Sequence, residues 1–238
     1  MRPLVAVALL LIATNIAAHD LITAELAEGY LNKATKWHQQ SETDTDKSER
    51  AKAYLRIGVM LDEIRGYLNR DLAAHGEVQG LASNYLVAEL KRVGTPLAYS
   101  ESRNYFTANS EYYRTALEMG LNSTLAREAR LRLLRGEFYD SFDVDPLQTG
   151  QSAEQLQHSV ALVEQLLATV TREPDLEEIR FIAAIVYARA ARVATDVAER
   201  AEFRGKALAY VEVFIGEYPE SMRSAAMPVV RAALYDLH

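Results

Sequence analysis

Apolar residues recur every three to four positions along almost the whole chain, and the alternation of a half-buried strand is absent. Between 51 and 69, Tyr54, Ile57, Leu61, Ile64 and Leu68 fall on one face of a helix. Leu156, Val160, Val163, Leu167 and Val170 repeat the stepping after Ser152 and Gln155, a pair spaced as in a capping box. Pro174 and Asp175 open the next segment, with Ile179, Ile182, Val186 and Val193 inward. The same pattern predicts helices over about 20–37, 84–92, 103–119, 124–139, 203–217 and 221–237, giving about nine helices and no strands. Gly76, Gly80, Gly94 with Pro96, Gly120, Pro146 with Gly150, Pro174 and Pro219 punctuate the pattern. Pro228 lies inside the last one, so that helix either kinks or starts late. The expected fold class is all-α.

The first eighteen residues have the layout of an export signal. Arg2 supplies the charge, residues 4–12 an apolar run too short to span a bilayer, and Ile16, Ala17 and Ala18 a small-residue cleavage site. Residues 1–18 are thus expected to be a signal peptide, and 19–238 a single helical domain beginning at His19. Removal of Arg2 would leave 25 basic against 33 acidic residues, moving the formal charge from −7 to −8. No long basic run follows a phosphate backbone, which argues against nucleic acid and anionic lipid as partners. No further stretch is apolar enough to span a membrane. The absence of cysteine excludes disulfides, thiolate metal sites, a lipidated cysteine and a cysteine nucleophile, so stability rests on packing.

Two segments resemble the second helix of a tetratricopeptide repeat. In the first, from Glu111 to Asn122, Tyr113 and Ala116 occupy the aromatic and small positions; in the second, Ala207 precedes Pro219 by the twelve residues that separate the repeat's small residue from its proline. Tyr54, Ile57, Gly58 and Leu61 resemble a first-helix signature. Small residues let paired helices approach closely, and the proline ends the second helix before the next repeat. Leu121 stands in place of the proline and Phe214 in place of a small residue, and insertions around 70–98 and 140–152 break the period. The resemblance covers about half of 19–238 and implies antiparallel helix pairs stacked as a tetratricopeptide-like solenoid; an irregular helical bundle is the alternative. Such a stack implies a concave, protein-binding face.

Aromatic residues gather near the middle of the chain, and Tyr85, Tyr99, Tyr105 and Tyr112 are the candidate binding residues, since a tyrosine offers broad apolar contact and one polar tip. Rings at helical spacing more often pack between helices. The 70–98 insertion either carries a specific contact or forms one ordinary helix bridging two pairs. Glu42, Asp44, Asp46 and Glu49 in one connection, and Asp140, Asp143 and Asp145 in another, lack the calcium-loop pattern and read as solvated. Arg127, Arg130, Arg132 and Arg135 spread around their helix beside Glu128 and Glu137 and read as a solvated face.

A free amine and imidazole at His19 would suit copper(II), which defines an alternative function as a periplasmic copper-binding protein. Of the other histidines, His158 and His238 read as exposed, leaving His38 beside Trp37 and His75 as possible second ligands. The chain has no nucleophile elbow, zinc-protease motif, phosphate loop or dinucleotide turn. The reading is therefore an exported, periplasmic, non-enzymatic binding or scaffold protein with a protein or peptide partner in the cell envelope and no cofactor, or a secreted one if the source is eukaryotic.

Overall fold

The computed structural model describes residues 22–141, 147–148 and 150–237. The expected export signal, His19, Phe142, Asp143, Asp145, Pro146 and His238 lie outside the described residues. The fold is all-α: among the described residues there are nine α-helices and one short two-stranded ladder. The chain divides into two compact units, meeting in sequence at Asp140 and Ser141.

The first unit holds α1 (Ala24–Thr43), α2 (Lys47–His75), α3 (Leu81–Arg92), α4 (Ser110–Met119) and α5 (Ser123–Asp140). Local chemistry sets the ends of α1 and α2. The Thr23 hydroxyl accepts the Leu26 N–H at 3.2 Å to cap α1, and Asp46 accepts the Ser48 N–H at 2.8 Å to cap α2. Gly76, at φ 77°, closes α2 in the left-handed conformation that glycine adopts without steric cost. Helix α2 packs against α1 and α4, α1 against α3, and α4 against α5. Ile57, Leu61, Ile64 and Leu68 of α2 are fully buried with Tyr30 and Ala34 of α1 and Leu86 and Leu90 of α3. Burial of each such leucine or isoleucine stabilises the fold by about 1.5–3 kcal/mol.

Small residues set the close approaches. A Cβ on Gly58 would stand 2.9 Å from the Tyr113 ring, so α2 and α4 could not keep their spacing with any larger residue there. The expected helix over 84–92 exists and starts slightly earlier, giving the 70–98 insertion an ordinary helix, α3.

The helix expected from 103 does not begin there. Tyr99–Ser100 (β1) and Tyr105–Phe106 (β2) pair antiparallel instead, joined by a short 3₁₀ turn, and α4 starts only at Ser110. Asn104, at φ 49°, adopts the left-handed conformation that a helix interior excludes, and its amide donates to the Gly76 carbonyl at 2.9 Å. Asn69 holds the second strand from outside the ladder, accepting the Phe106 N–H and donating to the Phe106 carbonyl, both at 2.8 Å.

The second unit holds α6 (Ala153–Leu167), α7 (Asp175–Val193), α8 (Val197–Glu217) and α9 (Met227–Tyr235). The capping box at α6 is complete: Ser152 accepts the Gln155 N–H at 3.2 Å, and the Gln155 side chain accepts the Ser152 N–H at 2.8 Å. Asp175, Glu177 and Glu178 place negative charge at the positive end of α7. Helix α7 packs against α6, α8 and α9. From Phe181 to Ala191 every one of its residues is buried. A 3₁₀ turn over Met222–Ala226 precedes α9, and Pro228 sits in the first turn of that helix, so the late start is the outcome.

Candidate functional site

A groove in the first unit, lined by α1, α2 and the start of α5, offers a volume of about 290 Å³. Its apolar lining is Trp37 of α1, Leu55, Val59 and Met60 of α2, and Leu125 of α5; its charged lining is Lys33, Lys52, Arg56, Glu63 and Glu128. Leu55 and Met60 are 4% and 3% exposed and belong to the core beneath. Trp37, the chain's single tryptophan, is half-buried against that core. Lys33 and Trp37 stand four residues apart on α1, and Lys52, Arg56, Val59 and Glu63 step by four, three and four along α2, so each set shares a helix face.

The charges differ in what they are committed to. Glu63 stands near Tyr30, whose phenol is pushed well above its ordinary range by burial first and then by the neighbouring Glu63 carboxylate. Glu128 accepts from Arg132 at 3.1 Å, and Lys52 pairs with Glu49 at 2.5 Å. Lys33 lies over the Tyr30 ring at 5.7 Å. Lys33 and Arg56 are exposed, and among the described residues neither has a carboxylate partner. An apolar floor beside two uncommitted cations is suited to holding a ligand by burial and charge.

No family model, curated protein or solved structure matches this chain.

The four candidate tyrosines lie in different surroundings. Tyr85 is 54% exposed on α3. Tyr99 is 45% exposed, with its ring 4.9 Å from that of Phe106 and its hydroxyl donating to the Asn104 side chain. Tyr105 is half-buried, and burial raises its phenol while the nearby Arg65 opposes the shift. Tyr112 donates to the Gly94 carbonyl at 3.4 Å, its ring 6.3 Å from Tyr54; burial, and then Tyr54, push its phenol up to about 12. Tyr85 and Tyr99 thus present surface, whereas Tyr105 and Tyr112 support packing.

The acidic residues of the first connection shape the backbone. Asp44 accepts the Asp46 N–H at 2.9 Å, and Glu42 accepts from Tyr54 at 3.2 Å. Asp140 joins a partly buried network in which Arg65 lies 3.5 Å from Asp140 and 3.4 Å from Asp62, while Tyr113 donates to Asp62 at 2.5 Å. Asp140 also accepts the Ala108 N–H at 2.6 Å; burial nevertheless raises its carboxyl, against the opposing pull of that bond and of Arg65. These bonds tie α2, α4 and α5 together. Among the described residues no three metal-ligating side chains gather. His38 faces Gly94, where a Cβ would stand 2.7 Å from its ring nitrogen, and His75 lies 3.5 Å from Asp71.

Sequence reasoning missed the groove, although the signal was present. A single tryptophan with a lysine four residues earlier, beside a helix stripe of lysine, arginine and valine, is a mixed face that a search for apolar periodicity passes over.

Proposed function

We propose that this protein is an exported, periplasmic, non-enzymatic binding or scaffold component of the cell envelope that holds a protein or peptide partner on its helical surface. The observation that carries the reading is the groove, where Trp37, Leu55, Val59 and Leu125 lie beside the uncommitted Lys33 and Arg56. Its side chains offer apolar contact and charge, the means by which helical surfaces take up peptides. Stacking of α1 on α2, α2 on α4 and α4 on α5 supports a tetratricopeptide-like arrangement of the first unit, as does the fit of Gly58 against Tyr113. Among the described residues no helix is long and apolar enough to cross a membrane.

The test is affinity capture of the protein from its native envelope extract, with mass spectrometry of co-purifying proteins and elemental analysis of the same sample. The reading predicts a stoichiometric protein partner without metal. Copper near one per chain with no partner would overturn it and direct attention to His19.

A further inference from the structure

We infer that the groove between α1, α2 and α5 takes an acidic-apolar peptide segment of the partner, seating one or two large apolar side chains against Trp37, Val59 and Leu125 while Asp or Glu side chains meet Lys33 and Arg56. This rests on the binding reading above and names the chemistry of the partner. A volume of about 290 Å³ lies at the lower end of ligand sites, room for one or two side chains.

Charge complementarity selects the rest of the occupant. The whole chain carries a formal charge of −7, so a patch of uncommitted cations runs against its general character. In the lining Glu128 pairs with Arg132 and Lys52 with Glu49, which leaves Glu63 as the one carboxylate set against Lys33 and Arg56. Among the described residues Lys33 and Arg56 have no carboxylate partner and outnumber Glu63, so the lining keeps an excess of positive charge beside its apolar floor. An acidic side chain next to a large apolar one meets both at once, whereas a basic-apolar segment would bring like charges together over the same floor.

The chain carries its own reporter, because its single tryptophan lines the groove. The full chain is titrated with three probes: a short labelled peptide alternating Leu and Phe with Asp and Glu, its counterpart with Lys and Arg in the acidic positions, and dodecanoate. Trp37 emission and peptide anisotropy are recorded together. The expected result is binding of the acidic peptide alone with a blue-shifted Trp37 emission, weakened by added salt and weakened about tenfold by combined K33E and R56E. Both substituted residues are exposed, and unchanged circular dichroism of the variant establishes that it folds. Equal binding of the basic peptide, indifference to the two reversals, a response to dodecanoate alone or no response to any probe would each overturn the assignment. Those failures concern the occupant; the binding reading falls separately, when envelope capture yields no protein partner.

Discussion

The two units handle their central helices in opposite ways. In the second, α7 is enclosed: every residue from Phe181 to Ala191 is buried against α6, α8 and α9. In the first, α2 buries Ile57, Leu61, Ile64 and Leu68 on one side and turns Lys52, Arg56, Val59 and Glu63 toward a groove. A helix buried all round, even at Arg189, is consumed by its own core, whereas a helix with a mixed second face has surface left for another molecule. Within the described residues, α7 contributes stability to its unit, and α2 contributes both core and groove.

The strongest way to break the comparison is to damage the enclosed core. Phe214 is fully buried, with its ring 5.8 Å from Phe181 and 5.0 Å from Tyr218. Phe214→Ala should cost about 3–5 kcal/mol of stability, read by urea denaturation followed by circular dichroism. Folded Phe214→Ala protein should retain the Trp37 emission of the wild type, since the substitution lies outside the unit that holds the groove. A shifted emission in the folded variant would contradict the separation of roles.

Tyr113 tests the support behind the groove. Its hydroxyl satisfies Asp62 Oδ2, while Asp62 Oδ1 faces Arg65 at 3.4 Å and has no hydrogen-bond partner among the described residues. Tyr113→Phe should therefore cost about 1–3 kcal/mol in the same denaturation. The tyrosines also predict a pH dependence. Burial raises the phenols of Tyr30, Tyr112, Tyr113 and Tyr187 above their ordinary 10.0. A raised value in the folded chain means that the folded form holds its protons after the unfolded form has lost them. That stabilisation is fully present below pH 10.0 and is lost as pH rises through the folded values, which for Tyr112 lies at about 12. The urea midpoint should fall on alkalinisation above that onset, and Tyr113→Phe should flatten the fall.

Gly94 carries a smaller effect, at φ 86° with the His38 ring where a Cβ would stand. Gly94→Ala should cost about 1–2 kcal/mol from the left-handed backbone alone, checked by the shift in urea midpoint. Smallest for stability, and largest for binding, is the reversal of Lys33 and Arg56: each substitution should change stability by no more than about 0.5 kcal/mol, because both side chains are exposed and lack carboxylate partners among the described residues.

Much of the fold was legible because local chemistry dictated it. Ser152 and Gln155 announced the start of α6, Pro174 and Asp175 that of α7, and Pro228 the late start of α9. The Tyr99–Phe106 ladder was not legible. Its position is fixed by Asn69, more than thirty residues earlier in the sequence, and by a left-handed Asn104 that no hydrophobic period records. The groove escaped for a related reason. Val59 and Leu125 are distant in sequence and each is an ordinary apolar residue; only packing brings them to one surface with Trp37. Tyr85, Tyr99, Tyr105 and Tyr112 stood out by residue type, but their burial depends on tertiary neighbours such as Tyr54 and Phe106.

The most direct test of the groove as the partner's docking site is photocrosslinking in the native envelope, with benzoylphenylalanine placed at position 37 in one sample and at position 197 in another. Val197 is 76% exposed in the second unit and serves as the contrast. The account predicts a discrete protein adduct from position 37 and none from position 197. An adduct from position 197 alone, or none from either, would contradict it.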